Sequence, residues 1–318
     1  MRKKILFFET EAWERDWLVK NLGGFTLQFF DYPLDERRIP LEQDAAVICV
    51  GQNSVVSKRV LEAFSRLELV CVRFNECANI DFTACRERAV SVCRAPSRAT
   101  HAVAEFTFAL ILALSRRICQ ALDACKTGNA SYALRGFDLA GKTLGVLGAG
   151  NIGSNVVRIA RGFGMKVLAY NRKPNAQLAA ELGFAYATPE DLMAHAHVLT
   201  LHLPYHIKST HHIIDRAAFS HMRRGIHIVN TAHEKLIDSQ ALLWALEEGI
   251  VAGYATDVAK DPADMENLRR RGSVLFTPNT AWNTQEALEH LLRISVDNIR
   301  AYFSGFPQNC MGEISDVK

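Results

Sequence analysis

The residues with the most specific chemistry lie in one short run, Lys142-Thr-Leu-Gly-Val-Leu-Gly148-Ala-Gly150-Asn151-Ile152-Gly153. It sets G-x-G-x-x-G directly after a strand pattern and directly before a helix pattern, the context in which that spacing binds a dinucleotide. Gly148 permits a tight turn, Gly150 lets the backbone approach a pyrophosphate, and Gly153 lets helix and strand pack closely. The phosphates would then meet free N–H groups near Asn151 and Ile152, at the positive end of the helix. About twenty residues further on, a unit built for NAD normally ends its second strand in a carboxylate that holds the ribose hydroxyls. Here that strand ends Tyr170-Asn171-Arg172-Lys173. Asn171 removes the charge that would repel a 2′-phosphate, and Arg172 and Lys173 supply cations to pair with one. The expectation is NADP(H), with NAD(H) as the alternative and a solvated basic loop as the plainer reading.

Further segments can be read with this fingerprint: His101-Ala-Val-Ala-Glu-Phe, Leu201-His-Leu-Pro, Ile228-Val-Asn-Thr-Ala, Leu236-Ile-Asp-Ser-Gln-Ala-Leu, Thr256-Asp-Val and Leu275-Phe-Thr-Pro-Asn. In this order and spacing, from about residue 69 to residue 303, the chain resembles the D-isomer-specific 2-hydroxyacid dehydrogenases. It is most similar to their bacterial fermentative D-lactate dehydrogenase branch. The resemblance implies an α/β protein with two Rossmann-like domains of parallel sheet: a split, flavodoxin-like substrate domain (residues 1–100 plus 286–318) and an inserted dinucleotide-binding domain (residues 101–285). It also implies an active site in the cleft between them and a homodimer. Asp257 is assigned to the nicotinamide carboxamide, and His202, Thr231 and Ala232 are placed along the cofactor.

The family reduces 2-oxo acids with an arginine on the substrate carboxylate, a histidine as general acid/base and a glutamate that raises the histidine's pKa. At each of the three positions this chain reads differently. His233 stands where the arginine is expected, Asn279 where the histidine is expected, and Asp261 is the nearest carboxylate in a segment one residue shorter. Asn279 has no proton to exchange near neutral pH and can only orient a carbonyl by hydrogen bonding. His233 can titrate near neutrality but lacks the guanidinium fork that grips a carboxylate. In the segment Arg73-Phe-Asn75-Glu76, Glu76 falls near a position the family gives to glycine, and Arg98 stands where the D-lactate branch has a tyrosine facing the cleft, a replacement cation.

Three readings follow. In the first, hydride moves from NADPH to a carbonyl or imine carbon, with His233 as acid, Arg98 holding an anionic group and Asn279 positioning the substrate. In the second, the chain is a non-catalytic NADP(H)-binding sensor or partner-binding protein. In the third, it is an ordinary D-2-hydroxyacid dehydrogenase whose usual roles fall to other residues. Plainer roles stay open too: His233 could cap an element, Asn279 could satisfy a turn, and Arg98 could be solvated.

The elements that must position these residues show in the apolar periodicity. Short runs at residues 5–8, 45–50 and 67–72 alternate with amphipathic stretches such as residues 57–65, the signature of a mostly parallel sheet. Residues 101–126 form one long helical pattern, apolar nearly all round at first, which must be buried between domains or at a dimer interface. A second alternation sets strands at residues 143–147, 166–170, 198–203, 226–230, 253–258 and 274–277, with a helix at residues 152–163. A last helix, residues 286–303, returns the chain to the first domain. At 318 residues, with 49% hydrophobic and 22% charged residues, two ordinary globular domains are the natural expectation. The net charge of +3 gives no basic stripe for nucleic acid. No apolar run reaches the length of a membrane span, and the apolar run after the basic start, ending at Glu9 and Glu11, is too short for a signal peptide. The eight cysteines include no C-x-x-C pair and read as free thiols in a reducing, cytoplasmic setting, without metal or disulfide. The expected partner is a small-molecule substrate.

Overall fold

The computed structural model describes residues 2–74, 77–96, 99–128, 134–258, 266–268 and 271–311. The chain divides into two compact units, Met1–Arg98 with Gln285–Lys318, and Ala99–Thr284.

The first unit is built on β1 (Lys4–Phe7), α1 (Ala12–Asn21), β2 (Thr26–Phe29), β3 (Val47–Val50), α2 (Lys58–Ala63), β4 (Leu69–Val72), α3 (Phe82–Glu87) and β5 (Ser91–Arg94). Its five strands are all parallel in the order β2-β1-β3-β4-β5. Strands β3 and β4 are buried at every position, because a parallel sheet is covered on both faces. One face packs Leu6, Ile48 and Val70 with Phe64, and the other packs Ile5, Val47 and Cys71 with Leu292, Val296 and Ile299 of the C-terminal helix, Gln285–Phe303. Ser57 and Asp81 cap α2 and α3 through their side-chain oxygens, each satisfying an amide the helix leaves unpaired. Arg73 is buried here. Its Nη1 donates to Glu14 Oε1 at 2.5 Å, and its Nη2 donates to the carbonyls of Phe8 and Glu9.

One expectation for this unit is corrected. Cys93 and Cys310 form a disulfide, so they are not free thiols; the antiparallel bridge that sets residue 310 beside β5 brings the two side chains together. The other six cysteines are free, with Cys49, Cys71, Cys77 and Cys85 buried and Cys125 exposed.

The second unit begins with α4 (Thr100–Ser115) and α5 (Ile118–Lys126). The single long helix expected over residues 101–126 is therefore two. Arg117 adopts a left-handed conformation at φ +50°, and its amide turns back to the Leu114 carbonyl, which stops the first helix. The apolar residues of α4, among them Ala104, Phe108 and Ile111, are buried within their own unit with Val156, Val157 and Ala160. Next come β6 (Thr143–Leu147), α6 (Asn151–Gly162), β7 (Lys166–Tyr170), α7 (Ala176–Leu182), β8 (Ala185–Tyr186), α8 (Pro189–His195), β9 (Val198–Leu201) and α9 (Arg216–Ser220). The unit closes with β10 (Ile226–Asn230), α10 (Ser239–Glu247), β11 (Val251–Thr256) and β12 (Val274–Phe276). All seven strands are parallel, ordered β12-β11-β10-β9-β6-β7-β8. The order reverses between β6 and β9, and open sheets of this kind bind ligands beyond the carboxyl ends of the strands at that switch point. No helix among the described residues is long and apolar enough to cross a membrane.

Candidate active site

The glycine run sits at the switch point, and its three glycines face different surroundings. Gly148 turns the chain at the end of β6 with φ +103°, and a Cβ there would come within 2.7 Å of the His202 carbonyl oxygen. A Cβ on Gly153 would overlap the Gly148 carbonyl and lie 3.3 Å from Val146 Cγ1, so α6 approaches β6 as closely as it does only without a side chain. Gly150 differs. It starts α6 without a side-chain cap, and no atom lies within 4 Å of where its Cβ would be. The open face at the helix start is therefore the one toward which Asn151 and Ile152 begin the helix.

His202 follows β9 beside this turn, its amide donating to the Leu147 carbonyl at 2.7 Å. Although part of the residue is exposed, both ring nitrogens are buried and have no hydrogen-bond partner among the described residues. Burial pushes the imidazole down to about 3, so it is neutral near pH 7. Buried polar atoms are seldom left without partners, so an unpaired imidazole beside an open glycine turn fits a bound polar group. At the end of β7 the Tyr170 carbonyl accepts from the Gly148 amide at 2.9 Å. Asn171 is half-buried, Arg172 and Lys173 are exposed, and neither cation pairs with a carboxylate among the described residues.

A second group forms at the carboxyl ends of β10, β11 and β12. The fully buried Asn230 accepts from the amides of Ala232 and His233 at 3.0 and 3.3 Å, and its own amide donates to the His233 carbonyl at 2.8 Å. That network folds residues 231–233 into a tight turn. Thr231 is fixed by a 3.0 Å hydroxyl contact with Thr107 of α4. His233 begins a single 3₁₀ turn (Glu234–Leu236), and its Nδ1 accepts from the Lys235 amide at 3.1 Å. An accepting Nδ1 carries no proton, so the neutral ring holds its proton on Nε2. The ring also stacks on Tyr205, with centroids 4.3 Å apart and planes 9° from parallel.

On the neighbouring strand, Asp257 is 1% exposed and ties down the loop that follows β12. Its Oδ1 accepts from Thr277 Oγ1 at 2.5 Å and from the Thr280 amide at 2.9 Å, and its Oδ2 accepts from the Ala281 amide at 2.7 Å. A carboxylate offers about four acceptor positions, which leaves one on Oδ2. Asn279, at the crest of this loop, has φ +57°, a conformation Asn tolerates better than most side chains, and its carbonyl accepts from Trp282 Nε1 at 2.9 Å. The structure thus brings His233 and Asn279 to the ends of nearby strands in one sheet, each on a loop held by a buried side chain.

This geometry can be set beside known proteins. The NAD binding domain profile of the D-isomer specific 2-hydroxyacid dehydrogenases matches residues 108–281. A 2-hydroxyacid dehydrogenase homolog of Haemophilus influenzae is 35% identical, over 95% of this chain and 97% of that protein. The D-lactate dehydrogenase of Escherichia coli is 33% identical, over 98% and 99% of the two chains. Its apo structure superposes with a TM-score of 0.86 at 32% identity, over 97% of this chain and 100% of that one. The chain belongs to the D-isomer-specific 2-hydroxyacid dehydrogenase family. It is an oxidoreductase with a nicotinamide-dinucleotide domain. A solved D-lactate dehydrogenase of Aquifex aeolicus, in complex with NAD and lactic acid, is similar at a TM-score of 0.75 and 29% identity, over 95% of this chain and 96% of that one.

Within the family framework some candidate residues have no described position. Arg98 and Asp261 lie outside the described residues, as do Asn75 and Glu76. The residues that hold the site together were not singled out from sequence: Asn230, Tyr205, Thr107 and Thr277. Asn230 had a signal, a polar side chain closing the apolar run of β10, where burial demands partners.

Proposed function

We propose that the chain is an NADP(H)-dependent reductase that transfers hydride to a small carbonyl substrate, a 2-oxo acid or a related imine, through a catalytic set that differs from the family's. The observation that carries this reading is the state of His233. Its Nδ1 is held by the Lys235 amide and its ring by Tyr205, so the proton-bearing atom of the neutral imidazole is Nε2. The bound cofactor supplies the hydride. His233 donates a hydrogen bond from Nε2 to the carbonyl oxygen and polarises it, and the alkoxide that forms with the new C–H bond takes that proton, leaving the ring as an imidazolate. The imidazolate regains a proton from solvent. Asn279 orients the carbonyl by hydrogen bonding, and Asp257, through its remaining acceptor position, receives the nicotinamide carboxamide. Thr231, Ala232 and His202 line the cofactor. Arg98 supplies the guanidinium for the substrate's anionic group and Asp261 the nearby carboxylate, both on grounds of sequence alone.

The preference for NADP(H) rests on Asn171, which puts no carboxylate against a 2′-phosphate, and on the unpaired cations Arg172 and Lys173. Steady-state rates with NADPH and NADH, on a panel of 2-oxo acids, aldehydes and cyclic imines, test the whole reading. NADPH should be favoured at least about tenfold in kcat/KM, and Arg172→Ala should remove about tenfold of that preference, the low end of a charge-assisted hydrogen bond. A preference for NADH would sink the cofactor assignment. The reading also takes the chain as a cytoplasmic homodimer. The exposed Ile118 and Leu122, one helical turn apart on α5, support the dimer, and sedimentation equilibrium tests it.

A further inference from the structure

The second unit has a cavity at the other end of its sheet, where β10, β11 and β12 begin. It encloses about 320 Å³. His227 and Gly253 lie near the starts of their strands and Ser273 just before its own, so the cavity is a strand's length, at about 3.3 Å per residue, from the loops bearing His233 and Asn279. The remaining wall comes from the end of α4, the break at Arg117, Gln120 of α5, and residues 135–137.

The polar groups of this cavity are one-sided. Two guanidinium groups, Arg117 and Arg135, line it, and no carboxylate among the described residues does. Neither guanidinium group has a hydrogen bond or ion pair among the described residues. His227 adds no charge. Burial and the nearby Arg117 push its imidazole down to about 4, and its ring lies against Phe137 at 4.8 Å. Gly253 makes room for that ring, since a Cβ there would come within 2.8 Å of His227 Cδ2. Gln120 is half used: its Nε2 donates to the Gly272 carbonyl, while its Oε1 is buried and accepts from no donor among the described residues. The cavity therefore presents two unpaired cations and a buried acceptor that lacks a donor. A ligand that answers both carries an anionic group and a hydroxyl. Two arginines match the charge of about −2 on a phosphate monoester and its paired oxygens better than a single carboxylate.

We propose that this cavity is a binding site for a small hydroxylated phosphate monoester, with Arg117 and Arg135 on the phosphate and Gln120 Oε1 accepting from the hydroxyl. The site is separate from the dinucleotide site and does not depend on which cofactor the chain prefers.

Calorimetric titration of the full chain with glycerol 3-phosphate tests the proposal. Saturable binding at one site is expected, unchanged when NADPH is present in excess. Ethyl phosphate, which lacks the hydroxyls, should bind at least about tenfold more weakly, and Gln120→Leu should erase that difference. The exposed pair Arg117→Gln with Arg135→Gln should weaken glycerol 3-phosphate at least about tenfold, with an unchanged urea midpoint, while Arg172→Ala should leave it unaffected. Absence of saturable heat in the unaltered protein, competition by NADPH, or loss of binding in Arg172→Ala but not in the double variant would each overturn it. The comparison of glycerol 3-phosphate with ethyl phosphate needs no variant, so it decides the hydroxyl contact even if a substitution disturbs folding.

Discussion

Replacing Asp257 by asparagine separates two roles that one carboxylate can play. In the cofactor-free protein its oxygens accept three hydrogen bonds from Thr277, Thr280 and Ala281. An asparagine can keep one oxygen toward Thr277 and Thr280, but it turns an amide NH₂ toward the Ala281 amide, so a donor meets a donor. The lost bond is charge-assisted and amounts to about 1.5–3 kcal/mol, and leaving a buried N–H unpaired costs about 1–3 kcal/mol more. With partial relaxation of the loop, a net loss of about 3 kcal/mol is expected, and at 1.4 kcal/mol per tenfold this is roughly a hundredfold change in local opening. Hydrogen exchange by mass spectrometry on the peptide spanning residues 277–281, in the absence of cofactor, reads it directly, together with urea unfolding. Exchange about a hundredfold faster in Asp257→Asn is the expected result. If exchange and unfolding stay within about 0.5 kcal/mol of the unaltered protein and only cofactor affinity falls, Asp257 does not anchor the loop and the argument fails.

Other consequences can be checked separately. His202 stays neutral in the folded chain down to about pH 3 but protonates near 6.5 when unfolded, so its contribution is complete above pH 6.5 and is lost as pH falls below it. At pH 4.5 that loss is about 3 kcal/mol; urea unfolding across this range should show it, and a His202→Gln variant with an equally steep acid limb would contradict it. Gly153→Ala should destabilise the apo protein by about 1–3 kcal/mol through overpacking. Gly150→Ser, which keeps a good N-cap and meets no neighbour, should leave the melting temperature unchanged yet weaken dinucleotide binding at least about tenfold; equal effects of the two on stability would refute the division of roles. Thiol titration of the unfolded, unreduced chain should find six reactive groups and eight after reduction, and eight before reduction would remove the Cys93–Cys310 bond.

How far the sequence could be read depended on whether a residue's partner was local. Strands β6, β7 and β10 lie where their apolar runs predict, because each is bracketed by residues that break a strand. Strand β2 was invisible: Thr26–Phe29 is an edge strand with no fully buried position, so it shows no run of core residues. Helix α1 was hidden for a similar reason, with only Glu14 and Leu18 buried. The break at Arg117 is not legible because the apolar pattern continues across it, and only backbone conformation separates α4 from α5. At the site, the glycine run carries its spacing within six residues and was legible. The anchoring by Asp257 was not, since it reaches amides more than twenty residues away and the pairing exists only once β11 and β12 lie side by side.

Whether His233 delivers the proton that accompanies hydride transfer can be read in a single-turnover experiment. The enzyme is loaded with NADPH, mixed with the best substrate of the panel, and followed by loss of NADPH absorbance, beside His233→Gln, which retains a hydrogen-bond donor but cannot exchange a proton near neutrality. NADPH oxidation is expected in the unaltered protein and a rate about 10²–10⁴-fold lower in the variant, with NADPH affinity unchanged. Oxidation at an undiminished rate in His233→Gln, or tight NADPH binding with no oxidation by any substrate of the panel, would contradict it.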